Sequence, residues 1–88
     1  MQLKNYMEEV VFSMMENVLN DIDVCKCEQC LLDIAAIALN KLPPKYIVTE
    51  KGELYSKINS LIQQFEVDVV SAITKAAIIV KENPRHKE

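Results

Sequence analysis

Apolar positions along the chain fall into three stretches with a helical period. In the first, Leu3, Tyr6, Met7, Val10, Val11, Met14, Val18, Leu19 and Ile22 recur at spacings of three and four, while Glu8, Glu9, Glu16 and Asn17 fall largely on the other side. Such a stripe predicts a helix over about residues 3–22 that buries one face. Asn20-Asp21-Ile22-Asp23 ends the pattern, because short polar side chains compete for the hydrogen bonds of the helical backbone. The period resumes near Glu28 with Leu31, Ile34, Ala35, Ala38, Leu39 and Leu42. This second helix must stop near Lys41, since Pro43 and Pro44 cannot continue it and a residue before proline avoids the helical region.

The third stretch is the longest. Leu54, Ile58, Leu61, Ile62, Phe65, Val69, Val70, Ile73, Ala76, Ala77 and Val80 keep the period, with no breaker until Pro84. A helix over about residues 56–82, with Ser56 as its N-cap, would be about 40 Å long. The second helix is about half that length, so one chain has too little partner surface to cover the third. A second copy is expected to cover it, which makes the protein a homodimer. The alternative is a break near Phe65-Glu66 that folds two shorter helices on one another. Residues 43–53 form the main loop, in which Tyr46-Ile47-Val48-Thr49 favours extended backbone and Lys51-Gly52 allows a short hairpin. Residues 83–88 form a tail. The expected fold is all-α: one domain over residues 1–88, a small helical bundle with a long C-terminal helix.

Composition narrows the function. Half of the 88 residues are hydrophobic, which is room for one core. The one glycine excludes a glycine-rich phosphate loop and argues against a turn-rich sandwich or barrel. His86 is the one histidine, so a hydrolytic triad would have to take its base from the tail, and no enzyme is expected. The methionines Met1, Met7, Met14 and Met15 read as core filling rather than as an adaptable binding face. The net charge of −3 is unevenly spread: residues 1–33 hold two lysines against seven carboxylates, a net −5, and the remainder is net +2. No basic stripe is present, so direct binding to nucleic acid is not expected. Glu8 interrupts any leader-like apolar run, and Ala76-Ala77-Ile78-Ile79-Val80 is far too short to span a membrane. A cytoplasmic protein is therefore expected.

Cys25-Lys-Cys27-Glu-Gln-Cys30 is the most specific chemical feature. Zinc takes four tetrahedral ligands, at about 2.3 Å for thiolate sulfur. Cys27-x-x-Cys30 has the spacing of a zinc knuckle and falls where the second helix begins, and there the helix dipole favours the thiolate form. Cys25 reaches the same point from the preceding turn. A closed structural site then lacks one ligand, for which His86 is the candidate, with Asp23, Glu28 or water as alternatives. A redox pair is disfavoured, because such a motif usually follows a strand in a βαβ unit and none is read here.

The order CxCxxC, then Asp33-Ile-Ala-Ala-Ile-Ala-Leu-Asn40, then Lys41-Leu-Pro-Pro-Lys-Tyr46-Ile-Val48, then a long helix ending in Glu82-Asn-Pro84-Arg85, resembles the late competence development protein ComFB family over nearly the whole chain. The resemblance implies a small, helical, dimeric protein with a cysteine-based zinc site and no known enzymatic activity. It implies a regulatory or adaptor role with an unidentified protein partner, in which Asn40, Pro43, Pro44 and Tyr46 shape the loop. In cyanobacterial relatives, members look like receptors for cyclic dinucleotides. If that role carried over, Lys41, Lys45, Tyr46 and Arg85 would supply cations for the phosphates and a ring for stacking. The chain departs from the pattern where some relatives carry a further cysteine shortly after the Pro-Arg, since His86 stands there instead.

Overall fold

The computed structural model describes residues 2–49 and 54–84. In chain order the elements are β1 (Gln2–Asn5), α1 (Tyr6–Leu19), α2 (Glu28–Lys41), β2 (Tyr46–Thr49) and α3 (Leu54–Glu82). Three helices therefore carry the described residues, as their periodicity requires, but the all-α expectation needs correction. β1 and β2 form an antiparallel two-stranded sheet with Leu3 opposite Val48 and Asn5 opposite Tyr46. The extended tendency of Tyr46–Thr49 is thus used, though its partner is the N-terminus. The Lys51-Gly52 turn expected to close a hairpin lies outside the described residues.

The sheet also shortens the first helix, which begins at Tyr6 rather than at residue 3. Leu3 matches the helical stripe in spacing, yet it lies on β1 and is 71% exposed. The start is set by Asn5. Its backbone is extended, and its side-chain Oδ1 accepts from the N–H of Met7 at 3.2 Å, the arrangement of an N-cap. The same oxygen accepts from the N–H of Lys45 at 2.8 Å, and the N–H of Tyr6 donates to the Lys45 carbonyl at 2.8 Å. One side chain thus caps α1 and ties the segment before β2 to it. Lys4 pairs with Glu9 across the same junction.

α2 runs from Glu28 to Lys41 and stops at Leu42, whose backbone is extended as the following proline demands. α3 is continuous for 29 residues, so no break occurs at Phe65-Glu66, and its start at Leu54 places Ser56 inside the helix rather than at its cap. The molecule measures 42 Å along its longest axis, close to the length of that helix at 1.5 Å per residue. α1 and α2, each of 14 residues, both pack against α3. Tyr6, Met7, Val10, Val11 and Leu19 of α1 meet Cys30, Ile34 and Ala38 of α2 and Val69, Ile73, Ala76 and Ala77 of α3 in the core. The alanines let the helices approach closely. The outer side of α3 leaves Val67, Val70 and Ile78 exposed along one stripe. No helix among the described residues is long and apolar enough to cross a membrane.

Candidate metal centre

The cysteine cluster is built by the turn between α1 and α2. α1 ends at Leu19, and the chain reverses through hydrogen bonds from Ile22 N–H to Leu19 O (3.1 Å) and from Val24 N–H to Ile22 O (3.0 Å). Val24 is buried and anchors the turn to the core. Cys27 is the N-cap of α2: its backbone is extended, and its Sγ accepts from the N–H of Cys30 at 3.5 Å. Serine, threonine or aspartate usually fills such a position, and sulfur is the weaker acceptor unless it is ionised. Cys30 lies one turn into the helix and is buried, whereas Cys25 and Cys27 are exposed.

All three Sγ atoms lie within 4.8 Å of one another. Sulfurs around a tetrahedral zinc at the usual bond length would be about 3.8 Å apart, so rotation of exposed side chains closes the difference. The electrostatics are divided. The hydrogen bond from the Cys30 amide holds the Cys27 thiol below its ordinary pKa. Burial pushes the Cys30 thiol up to about 12, and the neighbouring thiols add to the shift. Without a cation Cys30 keeps its proton. A divalent ion reverses that preference, because a coordinating thiol loses its proton outright. The residues present fit a thiolate-bound metal: three soft donors on a helix N-terminus, one of them held by the core.

Other candidate residues are placed as follows. The Lys81 ammonium lies 3.9 Å from the Asp23 carboxylate, so the C-terminal end of α3 sits beside the turn that leads into the cluster. Arg85 and His86 lie outside the described residues. Lys41 ends α2 and, with Lys75, Asp68 and Ser71, lines a cavity of about 530 Å³ between α2 and α3. Neither Lys45 nor Tyr46 lines that cavity. The Lys45 ammonium stands 4.7 Å over the Phe65 ring, a cation–π contact, and Tyr46 is an exposed residue of β2. Sequence reasoning missed the double role of Asn5 and the Lys45–Phe65 contact. The Asn at the head of the first stripe, followed by two glutamates, was the available signal for a cap.

A small helical protein whose second helix is capped by a cluster of three cysteines is the class that this geometry defines. The chain belongs to the late competence development protein ComFB family, whose model matches residues 4–84. Competence protein ComFB of Bacillus subtilis (strain 168) is 26% identical over 83 residues, which cover 93% of this chain and 85% of that protein. The solved structure of the late competence protein ComFB from Bacillus subtilis matches with a TM-score of 0.80 at 26% identity, covering 94% of each chain. Family membership makes this a small competence-related protein. Nothing in these matches supports the cyclic-dinucleotide reading.

Proposed function

We propose that this chain is a non-enzymatic regulatory or adaptor protein of the competence type, a homodimer in which a zinc ion bound by Cys25, Cys27 and Cys30 fixes the turn between the first two helices. The observation that carries the reading is the meeting of three sulfurs within 4.8 Å at the N-cap of α2. When bound, the zinc supplies a cross-link between the α1–α2 turn and the core through Cys30, and its binding energy adds to folding energy. His86 is the fourth ligand in this reading. The Lys81–Asp23 pair supports it, since α3 ends next to the turn and the four residues that follow Glu82, up to His86, can reach about 14 Å. The dimer is supported by the exposed stripe of Val67, Val70 and Ile78 on a helix twice as long as either partner helix. Three thiolates leave zinc a poor Lewis acid, which favours a structural over a catalytic role.

Native mass spectrometry of freshly purified protein tests the reading in one measurement. The expected species holds two chains and one zinc per chain. Well under one metal per chain overturns the zinc assignment, and a monomer overturns the dimer. His86→Ala should lower zinc affinity; unchanged affinity assigns the fourth position to Asp23, Glu28 or water.

A further inference from the structure

α1 and α2 cover α3 with one side each and leave a trough between themselves on the other. Its floor is apolar: Phe12, Met15 and Leu19 of α1 with Leu31 and Leu32 of α2, around a volume of about 580 Å³. Among the described residues, none of α3 lines it. Phe12 and Leu32 are 49% and 50% exposed, so large apolar side chains from two helices converge on a concavity open to water. Convergence of that kind marks a docking site more often than isolated exposed leucines do.

The rim and its surroundings are acidic. Glu16 and Glu28 line the trough, and among the described residues Lys26 is the one cation that does so. The Lys26 ammonium already donates to the Ile22 carbonyl at 3.3 Å. Residues 1–33, which supply all the described lining residues, are net −5, and Lys4 is paired with Glu9. We propose that this trough docks a basic amphipathic helix of a partner protein. Apolar side chains spaced three and four apart enter the floor, and flanking lysines or arginines face Glu16 and Glu28. The floor dictates the shape of the partner: Phe12, Met15 and Leu19 form one helical row, Leu31 and Leu32 supply the facing wall from α2, and the complement of a groove between two helices is the ridge of a third. The charge dictates its sign. A second copy docking through the same patch would bring Glu16 and Glu28 against their own counterparts, two carboxylates a side against one lysine, an unfavourable pairing. None of Cys25, Cys27 and Cys30 lines the trough, so peptide binding and zinc content are read by separate measurements.

The full chain is titrated with two fluorescent synthetic helices that share their leucine positions, one with lysine and one with glutamate at every polar position. The lysine peptide should bind, weaken with added salt, and exceed the glutamate peptide by about tenfold or more. Phe12→Ala and Leu32→Ala should each weaken it by about fivefold or more, while the circular dichroism is unchanged because both side chains are half in solvent. Glu16→Gln with Glu28→Gln should flatten the salt dependence, and Val48→Ala, exposed on β2, should leave binding as it was. Several outcomes overturn the proposal: no binding of the lysine peptide below about 100 µM, equal binding of the two peptides, or unchanged affinity in the folded Phe12 and Leu32 variants. Sedimentation showing that either variant turns a dimer into a monomer also overturns it, by assigning the trough to a second copy.

Discussion

Asn5→Ala separates a capping residue from a merely polar one, and its cost can be worked from two hydrogen bonds. Asn5 Oδ1 accepts from Met7 N–H at 3.2 Å and from Lys45 N–H at 2.8 Å. Loss of an N-cap costs about 1 kcal/mol. Loss of the second bond, at a half-buried residue, costs about 1 kcal/mol more. The sum of about 2 kcal/mol corresponds to a fall in Tm of about 8–16 °C for a domain of this size. Urea unfolding followed by far-UV circular dichroism, at one fixed protein concentration, measures it. Asn5→Asp keeps an acceptor at the same reach and should stay within about 0.5 kcal/mol of the parent. Asn5→Ser restores the cap but is too short for Lys45, so it should recover about half of the loss. Amide exchange at Lys45 should quicken in the alanine and serine variants but not in the aspartate variant. A loss below about 0.5 kcal/mol in Asn5→Ala, or equal losses for aspartate and alanine, would refute the assignment of both bonds to this oxygen.

The remaining expectations concern the metal centre and the core. Cys27→Ser should lower zinc content and thermal stability together, and the difference in Tm between chelated and untreated protein should collapse; calorimetry with metal analysis checks it. Zinc binding should release protons and weaken as pH falls. Cys30, whose thiol is pushed up to about 12, is protonated at neutral pH in the metal-free protein and must give up that proton on binding. Titration calorimetry in two buffers of different ionisation enthalpy counts the protons, and a count near zero at pH 7 would contradict the burial argument. Ile73→Ala empties a fully buried position where α3 meets both shorter helices, and should cost about 2–5 kcal/mol in urea unfolding.

Membership of the ComFB family agrees with what the residues say one by one. The thiol cluster at the head of α2, the small-residue helix after it and the proline stop at Leu42 each have a local chemical explanation. The trough beside the cluster adds a surface whose shape depends on the same turn, since Lys26 and Glu28 line it and lie between the cysteines.

The sequence by itself determined the three helices, because a 3.6-residue apolar period sustained over 14 or more residues buries one face only as a helix, and it determined where the second must stop, because proline lacks an N–H and restricts the residue before it. It also placed Cys25, Cys27 and Cys30 within six residues at the head of the second helix, while the turn decided that their sulfurs meet. Only the tertiary structure decided the partner of Tyr46–Thr49, which pairs with Gln2–Asn5 more than forty residues away in register Leu3 to Val48. It also decided that Leu3 leaves the helical stripe, that Cys30 is buried while Cys27 caps, and that Lys45 rests on Phe65. The physical reason is range: periodicity, capping and proline act over a few residues, and strand pairing, burial of one thiol and the meeting of α1 with α2 depend on chain segments that the core brings together.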